Sequence, residues 1–296
     1  MKRTAVVTAS TAGIGLETAL GLAAAGHAVT VVGRDPDRGA RAVERINATG
    51  PAHPARFLAA DLASLDEVRA LADRVAAEHA ASGERLDVLV NNVGAMFADR
   101  HSLGGVEASF VVNHLSPYLL TELLLPTLTA AAPSRIVNVT SGAVGVAKRV
   151  FDDVEPPGGY YGFHWYGRAK LANLAYTLDL AARLDGTGVS VFAADPGGAA
   201  TDMTDGTLTD PKIVTPALRL MWPLVRRKFE RSTSGPASVA ARPSIVAATD
   251  RALTGRTGLV IGARATPVAP FRAATDPRIT RAVRRLSERH APLVTA

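Results

Sequence analysis

The chain has no cysteine among its 296 residues. That excludes disulfides, cysteine nucleophiles and thiolate metal sites, and it fits a reducing compartment such as the cytoplasm. No apolar run approaches the roughly 18 residues that a membrane span requires, and the stretch after Met1-Lys2-Arg3-Thr4 is too short for a secretory signal. Aromatic residues are only 5% of the chain. They do not interleave with the basic residues and no known nucleic-acid motif occurs, so nucleic acid is not an expected partner. His27, His53, His79 and His101 lack metal-ligand spacing, and no metal is expected. Internal repeats and Pro- or Ser-rich linkers are also missing, which argues for a single domain over 1–296. The composition that remains is 47% hydrophobic and 20% charged, ample for a packed core. Charge is uneven: residues 219–296 carry 15 basic and four acidic side chains, while 1–218 are net acidic. Scattered among prolines and alanines, those arginines read as a solvated basic extension at about residues 263–296.

Short apolar runs alternate with helical patterns along the chain. Strands are expected at Ala5–Thr8, Ala28–Val32, Arg56–Ala60, Leu86–Asn91, Arg135–Val139, Val189–Ala193 and Thr257–Ile261, nearly continuous in apolar residues as in a parallel sheet covered on both faces. Helical spacing falls after Gly13, from Ser64 to about Ala81, from about Val106 to Leu128, over Tyr166–Leu184 and over Pro236–Thr249. The alternation predicts an α/β, doubly wound parallel sheet, a Rossmann fold, whose ligands bind beyond the C-terminal strand ends. Residues 201–235 interrupt it, with Pro211, Pro216 and Pro223 bracketing short helical stretches.

Three places carry chemistry. Gly13 and Gly15 open a helix directly after the first strand, where bare backbone lets a pyrophosphate reach free N–H groups; the same glycines would also ease helix–strand packing. Arg34, just past the second strand, stands where such a fold meets the adenosine ribose. A guanidinium there suits a 2′-phosphate, whereas the adjacent Asp35 suits a free hydroxyl, and a surface pairing of Arg34 with Asp35 or Asp37 is the third alternative. Tyr166 and Lys170 are four apart and share a helix face. An ammonium beside a phenol is expected to lower its pKa and make it a usable proton donor and acceptor. Ser141, after the fifth strand, brings a hydroxyl to the same sheet edge.

In this order, the glycine turn, Asn91-Asn92-Val93-Gly94, Ser141 and Tyr166/Lys170 resemble the short-chain dehydrogenase/reductase family over roughly residues 4–262. Arg135–Ser141 and Asp195-Pro196-Gly197 with Thr201 fall where that family has them. Phe110–Leu115 with Leu119-Leu120-Thr121, Lys170–Asn173 and the 25-residue gap from Ser141 to Tyr166 resemble its retinol-dehydrogenase and protochlorophyllide-reductase-like branch. The resemblance implies that Tyr166 is the general acid/base, that Lys170 tunes it and binds the nicotinamide ribose, that Ser141 orients the carbonyl, and that Asn113 holds a relay water. It implies cofactor contacts from Ser10, Thr11, Gly13, Ile14 and Gly15 in the turn, and from Asp61, Leu62, Asn92 and Gly94 around the adenine. Pro196, Gly197, Ala199 and Thr201 would lie near the nicotinamide.

Ala9 stands in place of the family's first turn glycine, Val93 in place of a small residue, and Thr140 offers a second hydroxyl beside Ser141. His114 and His164 are expected to pack or cap, and Asp152, Asp153 and Glu155 to be solvated. An apolar stripe around Trp222 suits either a membrane surface or, as the family implies for about 202–235, a substrate lid. The resulting expectation is an oxidoreductase transferring hydride between NADP(H), or less favourably NAD(H), and a lipophilic carbonyl/alcohol pair, possessing no membrane span and forming a homodimer or tetramer. A non-catalytic NADP-binding sensor or scaffold, or an epimerase/dehydratase of the extended family, are the alternatives.

Overall fold

Valine- and alanine-rich segments such as His27–Gly33, buried at every position, form the centre of the fold. A computed structural model describes residues 2–155, 158–197, 211–221, 223, 224, 227 and 235–294. Its strands are β1 (Arg3–Val7), β2 (His27–Gly33), β3 (Arg56–Ala59), β4 (Arg85–Asn91), β5 (Ser102–Leu103), β6 (Val106–Glu107), β7 (Ser134–Val139), β8 (Val189–Ala194), β9 (Leu259–Ile261) and β10 (Pro267–Val268). Eight of them make one sheet in the order β10-β9-β8-β7-β4-β1-β2-β3, while β5 and β6 form a small separate hairpin. Neighbours in the large sheet are parallel except β10, which runs antiparallel to β9. The chain moves outward from β1 to β3 and then restarts at β4 on the other side of β1. That reversal opens a crevice beyond the C-terminal ends of β1 and β4.

Each helix has a local cause. Helix α1 (Gly13–Ala24) stops before Gly26, at φ +85°. Helix α2 (Pro36–Asn47) begins on an Asp35 cap with proline at its first position, and α3 (Leu65–Ser82) begins on Ser64, whose Oγ accepts from the Glu67 amide at 3.3 Å. The one-turn helix α4 (Ala108–Phe110) leads through a π turn (Val111–Leu115) into α5 (Ser116–Ala130), and α6 (Gly162–Arg183) carries the Tyr166/Lys170 pair. Alternate strand residues feed two cores. Val6, Val32 and Leu89 pack with α3, α5 and α6; Ala5, Val7, Val31 and Val88 pack with α1, α2 and the helix Arg242–Thr249.

Two helices lie where no helix was expected, α2 and Pro277–His290. The latter corrects the view of 263–296 as a solvated extension. Ala282, Val283 and Leu286 are buried in the same core as α5 and α6, with Ile279 packed beside them, while Arg278, Arg281, Arg285 and Arg289 face outward. Spacing of i, i+3, i+4 and i+7 behind an Asp276-Pro277 start was the signal, and the arginines obscured it.

Candidate active site

At the C-terminal end of β1 the chain turns sharply into α1. Ala9 adopts φ +49°, a conformation usually left to glycine, so the turn closes without the family's first glycine. Asn92 holds it there: its Nδ2 donates to the carbonyls of Thr8 and Ala9, both at 3.1 Å. Gly15 is required by close approach, since a Cβ would stand 2.4 Å from the Ala9 oxygen and 2.5 Å from Asn92 Nδ2. The first turn of α1 has no side-chain cap and no acidic residue, so its free amides and positive dipole end are available to an anion. Thr11, Gly13 and Ile14 are half-exposed there. Ser10 is different: fully buried, its hydroxyl donates to the Val7 carbonyl at 2.6 Å and accepts from the Val32 amide at 3.2 Å. Its side chain and its amide, which donates to the Val32 carbonyl at 3.0 Å, pin the turn to the sheet.

The ribose-facing pair resolves into two jobs. Asp35 Oδ1 accepts from the amides of Asp37 and Arg38 at 2.9 and 3.1 Å, and these bonds hold its carboxyl below the usual range. Arg34 is exposed, with no ion pair or hydrogen bond among the described residues. Asp61, half-buried, caps its own turn through Oδ1 to the Ala63 amide at 3.0 Å, and Leu62 is buried in the core. An uncapped helix start, a cradle that a Cβ would fill and an unpaired guanidinium past β2 fit a phosphorylated dinucleotide.

At the other side of the crevice, α6 lies close against the chain leaving β7. Gly167 allows this, because a Cβ there would sit 2.5 Å from the Ala143 oxygen. The Ser141 hydroxyl is thereby brought beside the Tyr166 phenol, where it favours the ionised form. Thr140 keeps a buried hydroxyl without a partner among the described residues. Lys170 is buried, and Nζ donates to the Val93 and Val139 carbonyls at 3.1 and 3.0 Å. Val93 thus serves through its backbone, and its side chain fits the core. Asn113 sits in the π turn, fully buried, and its amide is committed: Nδ2 to the Ala95 and Ser109 carbonyls, both at 2.8 Å, and Oδ1 to the Ala95 amide at 3.1 Å.

The lowered phenol pKa expected from the Tyr/Lys spacing is corrected by the structure. Burial pushes Tyr166 up to about 12; the nearby Ser141 hydroxyl pulls it down and the Asp195 carboxylate pushes it up. Burial also pushes Lys170 down to about 7. The ammonium is directed at two carbonyls, 6.0 Å from the tyrosine ring centre, and desolvation outweighs any attraction between the pair.

Tyr166 shares an apolar cluster with Met96, Ala143, Ile213 and Val214. Ile213 and Val214 carried no motif, and only their place between Pro211 and Pro216 hinted at a packed cover. Pro196 and Gly197 follow β8 at the same edge, with Gly197 at φ +67° and its amide donating to Asp195 at 3.0 Å. Ala199, Thr201 and Trp222 lie outside the described residues. His114 packs, with Nε2 2.7 Å from Ser287 Oγ, and His164 Nδ1 lies 2.8 Å from the Val146 carbonyl. Of the acidic loop, Asp152 and Asp153 are exposed and Glu155 pairs with Arg100.

Residues 3–212 match the family model for short chain dehydrogenase. The chain belongs to the short-chain dehydrogenase family. Retinol dehydrogenase 12 of Mus musculus is 36% identical over 231 residues, covering 78% of this chain and 69% of that protein. Retinol dehydrogenase 13 of Homo sapiens is 38% identical over 203 residues, 68% of this chain and 60% of its own length. These matches put the chain in the retinol-dehydrogenase-like branch, as an NAD(P)-dependent oxidoreductase of the CH–OH/C=O couple. Its fold also matches the NADP-bound structure of 3-oxoacyl (acyl-carrier-protein) reductase from Agrobacterium tumefaciens C58. The TM-score is 0.66 at 25% identity, over 88% of this chain and 92% of that one. Among the described residues, no helix is long and apolar enough to cross a membrane.

Proposed function

We propose that this short-chain dehydrogenase is an NADPH-dependent ketoreductase for a lipophilic carbonyl compound, polyketide-like or another secondary metabolite. The observation that supports reduction is the placing of Tyr166, a phenol protonated at neutral pH, beside Ser141 in an apolar cluster with Met96, Ala143, Ile213 and Val214. Carbonyl reduction consumes such a donor, because the developing alkoxide must be protonated.

In this proposal Ser141 orients the carbonyl oxygen and Tyr166 Oη gives it a proton. Lys170, held near neutrality, resupplies that proton, with the π turn at Asn113 alongside. The nicotinamide, when bound, supplies the hydride. The backbone from Ser10 to Gly15, together with Asp61, Leu62, Asn92 and Gly94, would hold the adenine and pyrophosphate end. Arg34 would hold the 2′-phosphate, and Pro196, Gly197, Ala199 and Thr201 the nicotinamide end. Residues 202–235 would be the substrate lid, supported by the packing of Ile213 and Val214 on Tyr166. The proposal sets the protein in the cytoplasm, since a chain without cysteine loses nothing there.

NADPH oxidation over a panel of ketones, with Tyr166→Phe as control, tests the reading. Phenylalanine keeps the ring packing and removes the proton. The expected kcat loss is about 10²–10⁴-fold with cofactor binding nearly unchanged. More than about a third of the kcat surviving would exclude Tyr166 as the acid. Tight NADPH binding without turnover of any ketone would point to a sensor instead.

A further inference from the structure

Helix α6 carries a buried charge that the proposed chemistry leaves unused. Arg168 lies two residues past Tyr166 and is fully buried. A guanidinium removed from water is costly unless its donors are all directed at acceptors. Here Nε donates to the Val150 carbonyl at 2.8 Å, Nη1 to Val154 at 2.9 Å and Nη2 to Asp153 at 2.5 Å. Its flat faces meet the rings of Phe110 and Phe151, both at 4.8 Å, and of Trp165 at 5.9 Å. All three acceptors and Phe151 belong to the segment between Ser141 and α6. The near end of that segment is anchored separately: Ala143 packs against Tyr166, and Val146 accepts from or faces His164 Nδ1 at 2.8 Å. Between the two anchors Arg149 lies on the surface.

We propose that Arg168 is a positioning residue that holds residues 142–155 as a wall of the substrate site and so sets the size of carbonyl compound reaching Tyr166. This rests on the ketoreductase reading. The fork geometry is the reason arginine is needed: three carbonyls in different directions are met by one planar group, whereas a lysine ammonium is a point charge that cannot span them. With the fork removed, the wall would keep its anchor at Ser141 but lose its far end. A small ketone would still be held by Ser141 and Tyr166, and a large one would lose its apolar contact.

The test uses wild type, Arg168→Lys, and Phe151→Leu, which loosens the stack from the loop side without disturbing α6. Initial rates are measured with NADPH and two probes, cyclohexanone and the bicyclic 1-decalone, alongside tryptic cleavage after Arg149. In both variants kcat/KM for decalone should fall about 10–100-fold, mainly through KM, the range expected when one apolar contact in a pocket is lost. Cyclohexanone should change by less than about threefold and the KM for NADPH should hold. Cleavage after Arg149 should accelerate about tenfold or more, since local opening exposes the loop. Equal loss on both ketones, full retention of decalone selectivity in Arg168→Lys, or unchanged cleavage overturns the proposal. Faster cleavage with no ketone turned over even by wild type would refute the ketoreductase reading while the loop anchor stands on its own readout.

Discussion

Arg34 and Asp35 are neighbours with opposite charge, and composition alone gives them equal claim on the ribose. The structure separates them, since Asp35 is spent on the start of α2 while Arg34, at the strand end, has no partner among the described residues. One charge-assisted bond to a 2′-phosphate is worth about 1.5–3 kcal/mol, or roughly 10- to 150-fold in affinity. Arg34→Ala should raise KM for NADPH by about that factor and leave NADH nearly unchanged; equal loss with both cofactors would make Arg34 structural. Lys170 gives a second residue-scale prediction, on stability. Its pKa of about 7 in the fold lies below the unfolded value, so between about pH 7 and 10 the unfolded chain binds more protons at this residue. Its destabilising contribution is therefore full below pH 7 and fades as pH rises. Lys170→Met should be most stabilised relative to wild type at neutral pH, with the gap in urea midpoint closing toward pH 10. A gap independent of pH would mean that Lys170 keeps its charge in the fold.

Among the elements, α6 matters most, because it delivers Tyr166, Arg168 and Lys170 from one rigid axis. Its seat against the turn after Ser141 depends on the bare Cα of Gly167, where an added Cβ would come 2.5 Å from the Ala143 oxygen. Gly167→Ala should push the two apart and widen the separation of Tyr166 and Ser141. A displacement of about 1 Å at a reacting pair costs on the order of 10²-fold, so kcat should fall by about that much while the helix itself gains propensity. Wild-type kcat in this variant would show that α6 can shift without cost. At this scale the Tyr/Lys spacing, the glycine turn and seven strands of the sheet were legible, because each is a local pattern of period or position. What the Ser10 hydroxyl does was not legible, because it is satisfied by β1 and β2, contacts that no spacing reveals.

For the whole molecule, the arginine-rich end proves to be structural. The helix Pro277–His290 buries Leu286 and Val283 beside α5 and α6, and Arg284 bonds Asp179 at 2.5 Å. Leu286→Ala should cost about 2–5 kcal/mol, the range for emptying a core leucine site, measured as a fall in urea midpoint. A change below about 0.5 kcal/mol would return that segment to the solvated extension first expected. Local chemistry in the sequence by itself determined the alternating α/β order, the glycine turn that opens α1 and the placing of Tyr166 and Lys170 on one helix face. Those features depend on residues within one or two turns of each other. Only tertiary structure decided which hydroxyl meets Tyr166, which of Arg34 and Asp35 is free, how far burial raises the phenol and lowers the ammonium, and what Arg168 holds. Each of these depends on desolvation and on partners from distant parts of the chain, and both arise only when the elements pack.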